Sequence, residues 1–172
     1  MNTPTHSSPR PPFTALVEDK ILDWAGINKK IYLWRFKSEK IVFTNGCFDL
    51  LHRGHIQTLA EAAMFGTKLI VGLNADASVQ RLKGNSRPVQ DQNSRAILLA
   101  SLFFVDAVVI FEQDTPLELI KHIQPDVLVK GGDYTPENII GADIVTQKGG
   151  TVQVIPYLDG FSTSRLLFSQ KT

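Results

Sequence analysis

Two histidines three residues apart, His52 and His55, close the run Asn45-Gly46-Cys47-Phe48-Asp49-Leu50-Leu51-His52-Arg53-Gly54-His55. On a helix this spacing sets both imidazoles on one side. There they can donate to an anion, ligate a metal or cap the helix. Zinc takes three or four ligands and no third stands nearby in the chain, so no metal set is expected and phosphate contact fits the pair better. Residues 41–43 form a short apolar, β-branched-rich run, the signal of an interior parallel strand. Gly46 is expected to turn the backbone sharply and bring it close to a ligand. Beyond it, Ile56, Leu59, Ala60 and Ala63 recur at helical spacing. Such a strand, loop and helix start aims backbone N–H groups and the positive end of a helix dipole at whatever sits above the strand. Phosphate is the expected occupant, lined by Asn45, Gly46, Cys47, Phe48 and Asp49. Asp49 either braces the loop through backbone N–H bonds or touches the ligand or its magnesium. Cys47 reads as a small buried residue, since a thiol nucleophile would want a neighbouring base.

The elements that must hold this stretch can be followed along the chain. Residues 1–12 hold four prolines and almost nothing apolar, and read as a flexible tail. Residues 13–38 form a helical lead-in, interrupted where Gly26 and Asn28 end one helix and begin another. Its two tryptophans, Trp24 and Trp34, lie in an apolar helical pattern and read as packing residues.

Residues 39–172 make the main domain. A helix over 54–65 ends at Gly66, and residues 68–73 form a second strand with Asn74-Ala75-Asp76 at its carboxyl end. Asp76 binds ligand there or caps the helix over 77–82. Lys83-Gly84-Asn85-Ser86-Arg87-Pro88 is a polar loop whose cations, Lys83 and Arg87, are solvated or phosphate-bound. A helix from Asp91 or Asn93 to Phe104 carries Arg95 on its first turn, and residues 105–111 are the third strand. Asp106 interrupts that apolar stretch and takes either a structural partner or a ligand.

Thr115-Pro116 opens a helix to Ile123. A fourth strand over 127–129 leads into Lys130-Gly131-Gly132-Asp133-Tyr134, and Thr135-Pro136-Glu137 starts a short helix. A last strand over 151–155 precedes Ser162-Thr163-Ser164-Arg165-Leu166-Leu167 at the start of a terminal helix. On their own, the serine and threonine run reads as an N-cap and Arg165 as a solvent-exposed helix charge. Alternating strands and helices indicate an α/β fold with a doubly wound parallel sheet, Rossmann-like, in which three strand ends converge on one crevice.

A chain of 172 residues suits one domain with a substantial core. Its net charge of +1 excludes the basic excess of a dedicated nucleic-acid binder. No apolar run reaches membrane-spanning length, and the N-terminus lacks the apolar core of a secretory signal, so a cytoplasmic home is expected. The single cysteine excludes an intrachain disulfide.

The stretch from Gly46 to His55 resembles the G-x-F-D-x-x-H-x-G-H signature of cytidylyltransferase-like nucleotidyltransferases. Further segments narrow the resemblance: Arg81-Leu82-Lys83-Gly84, Arg87-Pro88-Val89, Arg95, Phe111-Glu112-Gln113-Asp114-Thr115-Pro116 and Asp126-Val127-Leu128-Val129-Lys130-Gly131-Gly132-Asp133-Tyr134. Together they are similar to the D-glycero-β-D-manno-heptose 1-phosphate adenylyltransferases, often fused behind a sugar kinase. The match covers residues 40–167.

The resemblance implies transfer of AMP from ATP, with Mg2+, to the heptose 1-phosphate, giving ADP-heptose and pyrophosphate for surface glycan such as lipopolysaccharide core. It implies that His52 and His55 act on the α-phosphate and departing oxygen, and that residues 45–48 line the triphosphate. Lys130, Asp133 and Tyr134 would form the nucleotide-side loop. Ser162, Thr163 and Ser164 would hold the outer phosphates, with Arg165 on the triphosphate. Asn74, Lys83 and Arg87 would meet the sugar phosphate or triphosphate. A homodimer and a separate heptose kinase in the same cell belong to the same expectation. Glycerol-3-phosphate cytidylyltransferases and FAD synthetases share the first motif, and an idle nucleotide-binding module is the reading from another class. Against the glycerol enzymes, Tyr157-Leu158-Asp159-Gly160-Phe161 lacks the arginine they carry there.

Overall fold

The computed structural model describes residues 12–135 and 138–158. Six parallel strands form one sheet in the order β1-β4-β3-β2-β5-β6. They are β1 (Ile21–Leu22), β2 (Ile41–Gly46), β3 (Lys68–Asn74), β4 (Ala107–Phe111), β5 (Val127–Gly131) and β6 (Thr151–Ile155). The helices are α1 (Phe13–Glu18), α2 (Trp24–Phe36), α3 (Arg53–Ala63), α4 (Asp76–Lys83), α5 (Gln92–Ala100), α6 (Leu117–Ile123) and α7 (Ala142–Gln147).

The central strands are mostly apolar because both faces of the sheet are covered, and their alternation divides the core in two. Val42, Leu69, Val71, Leu73, Val108 and Val127 pack on one face with Leu59 and Ala62 of α3 and Ala96 and Leu99 of α5. Ile41, Phe43, Ile70, Val109 and Leu128 pack on the other with Ile27, Ile31 and Trp34 of α2, Ile120 of α6 and Val145 of α7. Trp34 is buried and Trp24 packs against the same cluster, its ring edge on His122 at 4.8 Å, as a packing role requires.

From β2 the chain winds outward one way through β3 and β4, then crosses back to β5 and β6 on the other side. The reversal makes the carboxyl ends of β2 and β5 a topological switch point, where open parallel sheets hold their ligand crevice. Loops from both strands open onto it.

The lead-in departs from the expected helical pattern. Ile21 and Leu22 form a strand that pairs in parallel with Val108 and Val109 at the sheet's edge. Gly26 does not end a helix. It lies in the first turn of α2, and its N–H donates to Asp23 Oδ1 at 2.6 Å, an N-cap bond. Thr115 makes no cap either, because α6 begins after Pro116 with no side-chain cap bond. The 1–11 tail, the Pro136-Glu137 step and the terminal helix with Ser162, Thr163, Ser164 and Arg165 lie outside the described residues.

Candidate active site

The expected turn at Gly46 falls elsewhere. Gly46 ends β2, and the left-handed residues are Phe48, with φ of 45°, and Leu50, with φ of 60°. What glycine supplies at 46 is space. A Cβ there would lie 3.1 Å from the Phe48 ring, which folds back over the strand end. With Phe48 and Leu50 left-handed, the loop over 47–50 is a candidate nest of backbone N–H groups for an anion.

Beyond the nest, His52 is the N-cap of α3, its Nδ1 facing the His55 N–H at 3.4 Å. With Nδ1 as acceptor the imidazole proton sits on Nε2, leaving a donor on the far side of the ring. The two imidazoles are stacked, centroids 3.8 Å apart and planes 21° from parallel, and Phe48 meets His55 edge-on at 5.3 Å. Burial, the neighbouring His52 and the Lys83 charge lower the His55 pKa from its ordinary 6.5 to about 4. Burial lowers that of His52 as well. Both rings are therefore neutral near pH 7. The Nδ1 of His55 is buried and has no hydrogen-bond partner among the described residues, as a group waiting for a ligand would be.

Across the crevice stands Lys130, at the end of β5. Its ammonium donates to Asn45 Oδ1 at 3.3 Å and lies 5.6 Å from the centre of the Tyr134 ring. Burial lowers its pKa, partly offset by Cys47. Gly132 follows with φ of 125°, and a Cβ there would strike the Tyr157 ring at 2.7 Å. Asp133 lies close enough to Tyr157 that its charge, after burial and Tyr134, raises the phenol's pKa. The expected nucleotide-side loop and the His52–His55 loop thus share one rim, linked by the Asn45–Lys130 bond.

Other expected site residues are placed differently. Asp49 is fully buried, and its carboxylate accepts from the N–H groups of Val89 and Gln90 at 2.9–3.2 Å and pairs with Arg87 Nε at 3.0 Å. It braces the 84–90 loop, one of the two roles expected of it. Arg87 is spent on the same brace, although its Nη1 is buried with no partner among the described residues. Asn74 is buried too. Its amide donates to Ser78 Oγ at 2.9 Å. Lys83, the last residue of α4, is exposed, with its charge close enough to act on His55. Asp106 has a structural pairing with Lys68 at 3.1 Å and with the Leu69 N–H at 2.9 Å.

Arg95 is the residue that sequence reasoning undervalued. Its side chain is wholly buried, and its guanidinium reaches the carbonyls of Gln90, Cys47 and Asn74 and the Asp76 carboxylate. Asp76 is accordingly held by Arg95 and does not cap α4, whose N-cap is Ala75. The only signal was an arginine in the first turn of a helix, where a cation opposes the dipole and needs a reason to be.

A cleft of about 530 Å³ lies at the opposite, amino edge of the sheet, lined by Arg35, Lys40, Gln124, Asp126 and Lys148 among others. Its cations serve α6: Arg35 donates to the carbonyls of Ile123 and Gln124, and Lys148 to the Gln124 side chain. The chemistry-bearing groups are on the other edge. No cluster of histidine, cysteine, aspartate and glutamate fit to hold a metal ion occurs among the described residues, and no helix among them is long and apolar enough to cross a membrane.

Comparison with known proteins agrees with this geometry. The cytidylyltransferase-like family profile matches residues 43–157. The chain is 52% identical over 158 residues to the bifunctional protein HldE of Nitrobacter winogradskyi, covering 91% of this chain and 32% of that one. It is 50% identical over 149 residues to HldE of Magnetococcus marinus, covering 87% and 31%. The chain thus spans about a third of the length of these relatives. Among solved structures, the lipopolysaccharide core biosynthesis protein of Thermoplasma volcanium aligns at 28% identity and a TM-score of 0.56, covering 70% of this chain and 97% of that one. Pantoate-beta-alanine ligase of Francisella tularensis aligns with a TM-score of 0.58 at 15% identity, over 88% of this chain and 76% of its own, a likeness of fold.

Proposed function

The chain belongs to the cytidylyltransferase-like family and is a nucleotidyltransferase, and from that premise we propose that it transfers AMP from ATP to D-glycero-β-D-manno-heptose 1-phosphate. The products are ADP-heptose, a precursor of surface glycan such as lipopolysaccharide core, and pyrophosphate. The observation that carries this reading is the stacked His52–His55 pair, neutral and with an orphaned Nδ1, on the same rim as Lys130. The HldE relatives and the Lys130-Gly131-Gly132-Asp133-Tyr134 and Arg87-Pro88-Val89 segments support the heptose acceptor.

An oxygen of the sugar phosphate attacks the α-phosphorus of ATP, and the bond to the β-phosphate bridging oxygen breaks with its electron pair leaving on pyrophosphate. The nucleophile is already anionic, so no strong base is needed and the work is alignment and charge neutralisation. His52 and His55 donate to the α-phosphate and departing oxygen, and the nest at residues 47–50 offers backbone N–H groups to the triphosphate. Lys130 adds a cation whose partial desolvation strengthens its pull. Ser162, Thr163 and Ser164 hold the outer phosphates, and Lys83 faces the reacting groups from the acceptor side. Magnesium arrives on ATP as part of the substrate, since Asp49 is committed to its loop and Asp76 to Arg95. A cytoplasmic homodimer, supplied with acceptor by a sugar kinase, completes the reading.

The test is pyrophosphate release with ATP, CTP and GTP, each paired with heptose 1-phosphate, glycerol 3-phosphate and FMN. Turnover confined to ATP with the heptose is expected. Turnover with another pair, or with none, contradicts the assignment.

A further inference from the structure

We infer that Arg95 is a positioning residue that aims the backbone N–H of Phe48 at the nucleotide's phosphates, an inference that rests on the reading above. The guanidinium is fully enclosed and uses its fork in four directions. Nη1 donates to Cys47 O at 2.6 Å and to Asn74 O at 2.9 Å, Nη2 to Asp76 Oδ1 at 2.6 Å, and Nε to Gln90 O at 3.0 Å. A buried guanidinium is retained only with such pairing, and Asp76, one-third exposed, supplies the countercharge.

The bond to Cys47 is the one with a consequence at the rim. In a trans peptide the carbonyl and the following N–H point in opposite directions. Gripping the Cys47 carbonyl inward therefore turns the Phe48 N–H away from the core. That N–H has no hydrogen-bond partner among the described residues. Phe48 itself sits at φ of 45°, a conformation a bulky aromatic residue adopts only when its surroundings impose it. Two contacts do so: the Arg95 grip on one side, and the ring packed over Gly46 and against His55 on the other. The same ring contact puts the Phe48 peptide beside the imidazole pair, so the donor joins the histidines at one anion. Through Asn74, Asp76 and Gln90, the guanidinium ties the ends of β3, α4 and the acceptor-side loop to that peptide. Lysine preserves the charge there but cannot span four acceptors.

The experiment is a titration of 15N-labelled protein with α,β-methylene-ATP, following the Phe48 amide and the His52 and His55 imidazoles, in wild type and in Arg95→Lys. In wild type all three respond with one affinity. In Arg95→Lys the imidazoles still respond, the Phe48 amide no longer does, and kcat falls about 100-fold while the KM for ATP changes by no more than about threefold. A silent Phe48 amide beside responsive imidazoles in wild type overturns the inference and leaves the proposed function standing. Silence of all three overturns both. A folded Arg95→Lys with wild-type kcat also overturns the inference, and should that variant fail to fold, the wild-type titration decides alone.

Discussion

At the scale of single residues, the proposed catalysis rests on two imidazoles kept neutral by burial, with His52 adding to the effect at His55. Stacked at 3.8 Å, they resist carrying charge together until an anion arrives to favour it. His55→Ala should lower kcat/KM by about 10²–10⁴-fold with little change in thermal stability, because the ring stands at the rim rather than in either core cluster. Wild-type turnover in that variant removes His55 from the reaction. The sign of the pH effect follows from the same burial. With a folded-state pKa near 4 against an ordinary 6.5, the folded protein binds fewer protons than the unfolded chain between those values. His55 therefore contributes stability above pH 6.5 that is lost as pH falls toward 4. Thermal melting should show a decline over this window in wild type that is shallower in His55→Ala. Equal declines would mean that the ring is already solvated.

Among the elements, the loops at the carboxyl ends of the strands hold one another. Asp49, from the loop after β2, accepts the Val89 and Gln90 N–H groups and the Arg87 guanidinium, so the phosphate loop and the 84–90 loop move as a unit. Asp49→Asn keeps the shape but loses the charge and half the acceptors. It should destabilise the protein by about 1–3 kcal/mol and speed hydrogen exchange at the Val89 and Gln90 amides, leaving those of the β3 core unchanged. Protection of Val89 equal to wild type would show that the brace is not what holds the loop. This role was only half legible in advance. Bracing and ligand contact demand the same residue type at the same place, and only the partners, 40 residues away in sequence, separate them.

The sequence made other elements plain for a physical reason. The strands β2 to β5 carry short apolar runs, 41–43, 69–71, 107–111 and 127–129, a pattern set by burial on both faces. The two-residue strand β1 was hidden because Ile21 and Leu22 fit the helical spacing around them, and only pairing with Val108 and Val109 makes them extended. Arg95 was hidden in a similar way. A helix-borne arginine looks like a surface charge until the Cys47 and Asn74 carbonyls, distant in the chain, are brought around it.

For the whole molecule, the sheet's winding is what turns scattered motifs into a site. The reversal between β2 and β5 sets Asn45 beside Lys130, residues 85 apart, at the sheet's topological switch point. The opposite edge also presents cations around a cleft, but Arg35 is tied to the carbonyl end of α6 and Lys148 to the Gln124 side chain. These two edges make distinguishable predictions for where a nucleotide goes. A crystal structure of the complex with α,β-methylene-ATP and magnesium decides between them. It should show the triphosphate over residues 45–55, within hydrogen-bond distance of His52, His55 and the Phe48 N–H, with Lys130 at its flank. A nucleotide seated instead at the amino edge, among Arg35, Lys40 and Lys148, would contradict the account.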